Sequence, residues 1–186
     1  MTSTSDARDL ADHLLAAALP RRWNHTQGVA ARAATYARAL DMDVDTCEAA
    51  AWLHDIGYGP EAAVTGFHPL DGARHLRDNG YPLLLCELVA HHSGALTEAE
   101  ERGLADLLVD EFGPADRHRE LLSLVTAADM TTTPDGNEVA VETRISEILA
   151  RYEAGDPVHR AVSRSGPELI AATNQILEAV RNTTRP

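Results

Sequence analysis

Apolar residues recur at intervals of three and four along nearly the whole sequence, and this spacing most constrains the fold. No stretch shows the clear alternation of apolar and polar residues that is typical of a half-buried strand. Proline, glycine and acidic residues interrupt the pattern at short intervals, as helix ends require. The sequence therefore predicts an all-α fold, a single-domain helical bundle over residues 1–186.

These interruptions place the ends of the individual helices. A capping box at Thr97 and Glu100 predicts a helix start there, and Pro69 suits the first turn of another helix. The breaks at residues 155–157 and 165–167 are too short to link separate domains. The predicted helices cover residues 6–19, 22–40, 45–56, 69–78, 82–92, 97–112, 116–130, 138–154, 157–164 and 167–181.

Cysteine content and the N-terminal sequence bear on the location of the protein. Cys47 and Cys86 are the only cysteines, too few for a disulfide scaffold or a thiolate zinc site, which favours a reducing compartment. The acidic N-terminal segment holds an apolar run of only about seven residues, so we expect neither a signal peptide nor a membrane anchor. A cytoplasmic protein is predicted.

Charge limits the partners of the chain. There are 29 acidic residues against 16 basic ones, a net charge of −13, and the sequence contains no lysine. An overall repulsive field disfavours binding to a nucleic-acid polymer, and the missing lysines exclude Schiff-base chemistry. We expect a small-molecule substrate and no membrane partner; a homodimer is compatible with the sequence, which does not decide the oligomeric state.

Nine histidines are many for an acidic chain, and several stand at the ends of predicted helices. Imidazole and carboxylate groups on separate helices of a bundle can converge on one point, as in helical metal sites. A buried aspartate costs several kcal/mol unless it is paired or bound to metal, and the neighbours of Asp55 are apolar. The candidate metal ligands are His25, His54, Asp55, His68, His91, His92 and Asp129.

The order of these residues resembles that of the HD-domain metal-dependent phosphohydrolases. The segments that carry the resemblance are RRWNHTQGVA, AAWLHDIG, FHPLDGARHL, VAHHSGA and TAADMTT. They span roughly residues 20–132. The resemblance implies a helical bundle of the HD type with a family-like core over 20–132 and a C-terminal helical extension over 133–186.

The resemblance also implies how the ligands are shared. The minimal HD site corresponds to His25, His54, Asp55 and Asp129. His68 and one of the two adjacent histidines would hold a second metal, with Asp55 bridging. Neighbours on a helix point about 100° apart, so only one is expected to face a fixed point. His91 is favoured because the family pattern has glycine three residues after the histidine; His92 stays a candidate because some members use both.

A metal centre of this kind activates water and polarises a phosphoryl oxygen, so no side-chain nucleophile is needed. The predicted enzyme is a phosphohydrolase with His54 and Asp55 as catalytic residues. Its expected substrate is a small phosphorylated metabolite, with a nucleotide or dinucleotide polyphosphate as the leading candidate. The ligand types suit one or two divalent ions of iron, manganese, cobalt, nickel or zinc.

Four residues are candidate substrate contacts: Arg22, Tyr58, Arg74 and His75. Arg22 precedes His25 by three residues, as in HD-type diadenosine tetraphosphate hydrolases, and is either a phosphate clamp or a solvated residue at a helix start. Tyr58 stands where many phosphodiesterase members carry lysine, and either donates to the leaving group or packs against the loop. Asp71, Arg74 and Arg77 are most simply a charged, solvated helix face, or one of these arginines contacts a phosphate. His75 either reaches the substrate or holds a ligand in place, or it is a surface histidine.

Two other functions fit the same residues. A small branch of HD proteins uses a di-iron pair and dioxygen, so an oxygenase acting on a small polyol or phosphonate is an alternative. A non-catalytic nucleotide-sensing module is a further one, in which residues 138–184 present a surface to a partner.

Overall fold

The computed structural model describes residues 3–183, and over that range the chain is helical, with one isolated bridge between Thr132 and Glu138 and no strand. The predicted all-α class is confirmed. The helices are α1 Thr4–Ala11, α2 Pro20–Ala39, α3 Val44–Leu53, α4 His68–Asp78, α5 Leu83–His91, α6 Ala95–Arg102, α7 Ala105–Phe112, α8 Arg119–Met130, α9 Val141–Arg151 and α10 Pro157–Thr183. A π-helical turn, Asp12–Ala16, follows α1, and 3₁₀ turns Ile56–Tyr58 and His92–Gly94 follow α3 and α5. Within the described range no helix is long and apolar enough to cross a bilayer.

Local signals in the sequence begin several of these helices. Ser3 and Asp6 form a reciprocal capping box at α1, with both hydrogen bonds at 3.1 Å. Asp43 caps α3 by accepting from the backbone N–H of Thr46 at 3.2 Å. Pro20 and Pro69 stand in the first turns of α2 and α4, where a missing N–H is harmless. The predicted place of Pro69 is therefore confirmed.

Two predicted helix boundaries are wrong. The predicted helix 97–112 is divided into α6 and α7, because Gly103 ends α6 with a φ of +70°, a conformation that favours glycine. The capping box at Thr97 does not form, since α6 already begins at Ala95. Conversely, residues 157–164 and 167–181 belong to one helix, α10, which contains Pro167. Packing against α6, α8 and α9 outweighs the single backbone hydrogen bond that this proline removes.

The main core lies between α1–α5, α7 and α8, and its largest buried side chains are Phe67, Phe112 and several leucines. Burying each such side chain contributes about 1.5–3 kcal/mol. A second, smaller cluster joins α9 and α10 to the end of α8 through Met130, Val141, Ile145 and Leu169. The C-terminal extension therefore packs against the end of α8, which carries Asp129.

Candidate metal centre

Six of the predicted ligands meet at one place inside the bundle. His68 has a side chain that is 13% exposed, and the other five residues are buried. They come from five parts of the chain: His25 in α2, His54 and Asp55 directly after α3, His68 at the start of α4, His92 directly after α5, and Asp129 in the last turn of α8. Removing so many polar groups from water requires compensating partners at the same point.

Asp55 stands at the centre of the group. Its Oδ2 atom lies 3.2 Å from His54 Nε2 and 3.8 Å from His25 Nε2. Its Oδ1 atom lies 3.3 Å from His68 Nε2 and 4.0 Å from His92 Nε2. The two carboxylate oxygens thus face different pairs of imidazoles. Two groups of three potential ligands result, each with its ligand atoms within 4.8 Å of one another, and Asp55 is common to both.

Backbone carbonyls orient three of the imidazole rings. Nδ1 lies 3.0 Å from the Thr133 carbonyl oxygen in His25, 2.7 Å from that of Ala51 in His54, and 2.7 Å from that of Val89 in His92. Because a carbonyl oxygen only accepts, each Nδ1 carries the hydrogen and each Nε2 of the neutral ring is left with its lone pair. Metal-binding histidines are oriented in this way.

Two imidazole nitrogens without hydrogen-bond partners in the described part of the chain indicate that a cation fits this centre. Nε2 of His25 and Nε2 of His54 are buried and have no hydrogen-bond partner in the described part of the chain. A buried polar atom left without a partner costs about 1–3 kcal/mol, whereas a bound divalent ion would accept both lone pairs. The clustered histidines and aspartates are therefore suited to bind a divalent metal.

The charge states of the ligands also suit a cation. Burial lowers the pKa of His68 well below its ordinary value and lowers that of His92, so both imidazoles are neutral near pH 7. Burial opposes the ionisation of Asp55, yet Arg22, His54 and His68 hold its pKa well below the usual range. The neutral imidazoles of His68 and His92 beside the ionised carboxylate of Asp55 are in the protonation states that metal binding requires.

Asp129 joins the centre through two contacts. Its Oδ1 atom lies 3.0 Å from His25 Nε2, and Oδ2 accepts a hydrogen bond from the Ser93 hydroxyl. Ser93 has a φ of +50°, a left-handed conformation that costs a residue other than glycine about 1–3 kcal/mol. Ser93 was not predicted, and the signal for it was its place between His92 and Gly94, where the helical pattern ends.

His92, and not His91, belongs to the centre, so the preference for His91 is wrong. His91 Nε2 lies 2.9 Å from the Gly113 carbonyl oxygen, to which it donates. His92 Nδ1 donates to the Val89 carbonyl oxygen, and this hydrogen bond turns His92 Nε2 toward Asp55. Neighbouring residues at the end of a helix diverge by about 100°, so His91, the last residue of α5, and His92, which follows it, face different groups.

This assignment predicts different metal contents for two adjacent substitutions. His92→Ala removes a ligand of the Asp55–His68–His92 group, so the purified variant is expected to bind less metal than the unaltered protein. His91→Ala removes only a hydrogen bond to Gly113 and is expected to retain the full metal content. Elemental analysis after identical loading measures both. Equal metal loss in the two variants would contradict the assignment.

Arg22 and Tyr58 lie at the edge of the centre. Arg22 Nη1 donates to Asp55 Oδ2 at 2.7 Å, so Arg22 is not a solvated residue at a helix start; the surface residue is Arg21. The Arg22 guanidinium lies 4.1 Å from the centroid of the Tyr58 ring, which stacks on His68 at 4.0 Å. Burial and the charge of Asp55 raise the pKa of Tyr58, which therefore remains a phenol able to donate a hydrogen bond.

Arg74 and His75 lie away from the centre, so the structure does not bring these two predicted substrate contacts together with the ligands. Arg74 Nε donates to Glu111 at 3.0 Å, and His75 lines a separate depression together with Glu61. An α-helix rises 1.5 Å per residue, so the seven residues from His68 to His75 carry that side chain about 10 Å along α4.

Asp71 is buried rather than solvated, and it holds the loop before α4. Its carboxylate is 2% exposed and accepts hydrogen bonds from the backbone N–H groups of Val64, Thr65 and Gly66 at 2.9–3.1 Å. These bonds fold the loop back onto the helix that begins at His68. Asp71 is thus a positioning residue for that ligand.

The C-terminal extension forms the roof of a pocket above the centre. Helices α9 and α10 contribute an apolar surface that includes Ile148, Val162 and Leu169, and α9 adds Arg144 and Arg151. Sequence reasoning missed both arginines. The signal was available, because Arg144 shares a face of α9 with Val141, Ile145 and Ile148 at helical spacing.

An all-α bundle with a buried histidine and aspartate cluster suited to a divalent metal defines the class of this protein. Comparison with known protein families matches the HD domain over residues 22–133, more than half of the chain, and the match spans every residue of the centre. The chain belongs to the HD domain family. Comparisons with curated proteins and with solved structures returned no match. Because HD domains are mostly metal-dependent hydrolases, membership indicates this activity in general terms.

Proposed function

We propose that this protein is a metal-dependent phosphohydrolase acting on a small phosphorylated metabolite, with a nucleotide or dinucleotide polyphosphate as the leading candidate. The observation that carries the proposal is the sharing of Asp55 between two groups of ligands whose imidazoles face its two oxygens. Two divalent ions bound there would activate a water molecule and polarise a phosphoryl oxygen. Their ligands would be His25, His54, Asp55 and Asp129 for one ion, and Asp55, His68 and His92 for the other.

Residues around the centre support phosphate as the reacting group. Arg22 lines the pocket with a side chain that is 25% exposed, and a guanidinium matches the geometry of phosphate oxygens. Tyr58 lines the same pocket and stays protonated, so its hydroxyl can donate to a phosphate or to a leaving oxygen. The apolar roof formed by α9 and α10 limits access of bulk water to this point.

The size of the pocket supports a small substrate. The cavity over Asp55 has a volume of about 90 Å³, enough for a phosphate group or a few water molecules. A duplex or another long polyanion would also meet the net charge of −13. A terminal or bridging phosphate of a small molecule is therefore the group proposed to lie beside the ligands.

Turnover of nucleotides by the metal-loaded protein tests the proposal. Protein loaded with manganese, iron or zinc is mixed with nucleoside mono- and triphosphates and with dinucleoside polyphosphates, and the products are separated by chromatography. His54→Ala is expected to lower the rate by about 1000-fold or more, since it removes a ligand of the centre. The matched control is His13→Ala, at a side chain that is 65% exposed, and its rate should be unchanged.

Two outcomes would overturn this function. The first is an equal rate in His54→Ala and in the unaltered protein, or no hydrolysis product with any metal or substrate. The second is oxygen consumption by the iron-loaded protein only in the presence of a polyol or phosphonate, which would instead support the di-iron oxygenase.

A further inference from the structure

Arg144 is a buried arginine of the C-terminal extension, outside the residues 22–133 that match the HD domain. Arg144 as a whole is 5% exposed. Nη1 donates to Glu147 Oε2 at 2.5 Å, but Nε is buried and has no hydrogen-bond partner among residues 3–183. A buried donor left unpaired is destabilising, because it has lost its hydrogen bond to water and gained none in return. A group from outside the described chain would satisfy this donor.

The position of Arg144 shows where such a group would lie. Arg144 lines the pocket over Asp55 and also a second pocket of about 390 Å³ on the side of Arg21 and Pro134. Arg22 and Arg151 line both pockets as well. Three arginines therefore stand between the metal centre and the larger pocket.

One carboxylate, Glu147, is the direct partner of two of these arginines. Glu147 accepts hydrogen bonds from both Arg144 and Arg151, and it supplies one negative charge for the two. Asp55 pairs with Arg22 and faces the proposed cations. Asp129 also acts on Arg144 and would, like Asp55, face the proposed cations. Glu147 is then the one carboxylate of the described chain that pairs directly with Arg144 and Arg151. Guanidinium groups in such a place favour phosphate, which they can bind through two parallel hydrogen bonds.

We propose that Arg144, assisted by Arg151, binds a second phosphate of the substrate, next to the phosphate that reacts at the metal centre. The remainder of the substrate would then extend into the larger pocket beyond the arginines. This inference rests on the proposed phosphohydrolase function and narrows its substrate class to compounds with at least two linked phosphates. Arg144 is accordingly a specificity-determining residue supplied by the extension.

A purely structural role for Arg144 predicts a different result. Its ion pair with Glu147, three residues along α9, belongs to a network that also includes Arg151. If that pair were the whole role of Arg144, replacement would change stability slightly and would affect all ligands alike. Discrimination between one phosphate and two separates the two roles.

Calorimetric binding of inorganic phosphate and of a non-hydrolysable form of pyrophosphate, methylenediphosphonate, to the metal-loaded protein tests the proposal without turnover. Arg144→Met is expected to weaken methylenediphosphonate binding by about 10- to 100-fold, as expected for lost hydrogen bonds to a charged group, and to change phosphate binding by less than about 3-fold. Arg151→Met, at a side chain that is 33% exposed, gives a second variant if Arg144→Met does not fold, and should weaken methylenediphosphonate binding in the same direction. The matched control is Arg164→Met, which breaks surface pairs of α10 with Glu100 and Glu101 and should leave both affinities unchanged.

The outcomes separate this proposal from the proposed function. Loss of selectivity for methylenediphosphonate in Arg144→Met supports the phosphate subsite even if no nucleotide is hydrolysed, in which case the hydrolase proposal fails alone. Hydrolysis of nucleotides with unchanged selectivity for methylenediphosphonate in both variants overturns the subsite and leaves the hydrolase standing. An equal loss of phosphate and methylenediphosphonate binding in both variants also overturns it.

Discussion

Asp55→Ala is expected to abolish metal binding at both groups of ligands at once. His25 and His54 belong to one group and His68 and His92 to the other, whereas the carboxylate of Asp55 is common to the two. Its removal leaves imidazoles without the negative charge that offsets a divalent ion in a buried position. We expect metal affinity to fall by about 1000-fold or more, well beyond the 10- to 100-fold typical of residues that merely support a ligand.

Thermal unfolding with and without metal measures this effect. A ligand at 1000 times its dissociation constant stabilises a folded protein by about 4 kcal/mol. For a chain of this size that corresponds to a rise in Tm of roughly 8–16 °C. The rise is expected in the unaltered protein and absent in Asp55→Ala.

Asp135→Ala is the matched control for this experiment. Asp135 pairs with Arg21 at 2.9 Å, and Asp55 pairs with Arg22, the next residue in the sequence. The side chains of Asp135 and Arg21 are both more than half exposed. We expect the metal-induced rise in Tm to persist in this variant. A rise of equal size in Asp55→Ala and Asp135→Ala would refute the central role of Asp55.

Gly57→Ala is expected to destabilise the fold and to displace His68 from the centre. A Cβ atom at residue 57 would lie 2.0 Å from the His68 carbonyl oxygen and 2.6 Å from the Gly72 backbone nitrogen. Both are backbone atoms, so no side chain can rotate away and α4 itself must shift. Overpacking of this kind costs about 1–3 kcal/mol, and the closeness of these contacts places the expected loss at the upper end.

The displacement affects metal binding as well as stability. His68 Nε2 lies only 3.3 Å from Asp55 Oδ1, so a shift of α4 by an ångström alters the second group of ligands. Urea unfolding and elemental analysis of Gly57→Ala should show both losses. Gly155→Ala is the control, since a Cβ there meets no atom within 4 Å, and its stability should be unchanged or slightly higher. Identical behaviour of the two variants would show that the close approach at Gly57 is unimportant.

Much of this protein was predictable from local pattern. Helical periodicity gave the all-α class because the side chains that face a core must recur with the period of the helix. The order and spacing of His25, His54, Asp55, His68 and Asp129 indicated the centre, because few chains place so many imidazoles and acids at the ends of successive helices. The match to the HD domain over residues 22–133 agrees with the segments that carried the resemblance.

Other features depend on groups that are distant in sequence. Whether His91 or His92 faces Asp55 depends on how α5 packs against Gly113 and α3. The spacing of residues within α5 does not indicate this packing. Asp71 and Arg74 look alike as polar residues of α4, yet one folds a loop and the other pairs with Glu111.

The role of the C-terminal extension is the clearest such case. Its amphipathic helices were predictable, but their position over the centre, with Arg144 in the roof, required the packed structure. Hydrophobic patterns report which side of a helix is buried and not what it is buried against. Partners within a helix are set by its 3.6-residue period, whereas contacts between helices are set by the packing of the whole chain, and it is those contacts that bring Arg144 and Asp55 to one pocket.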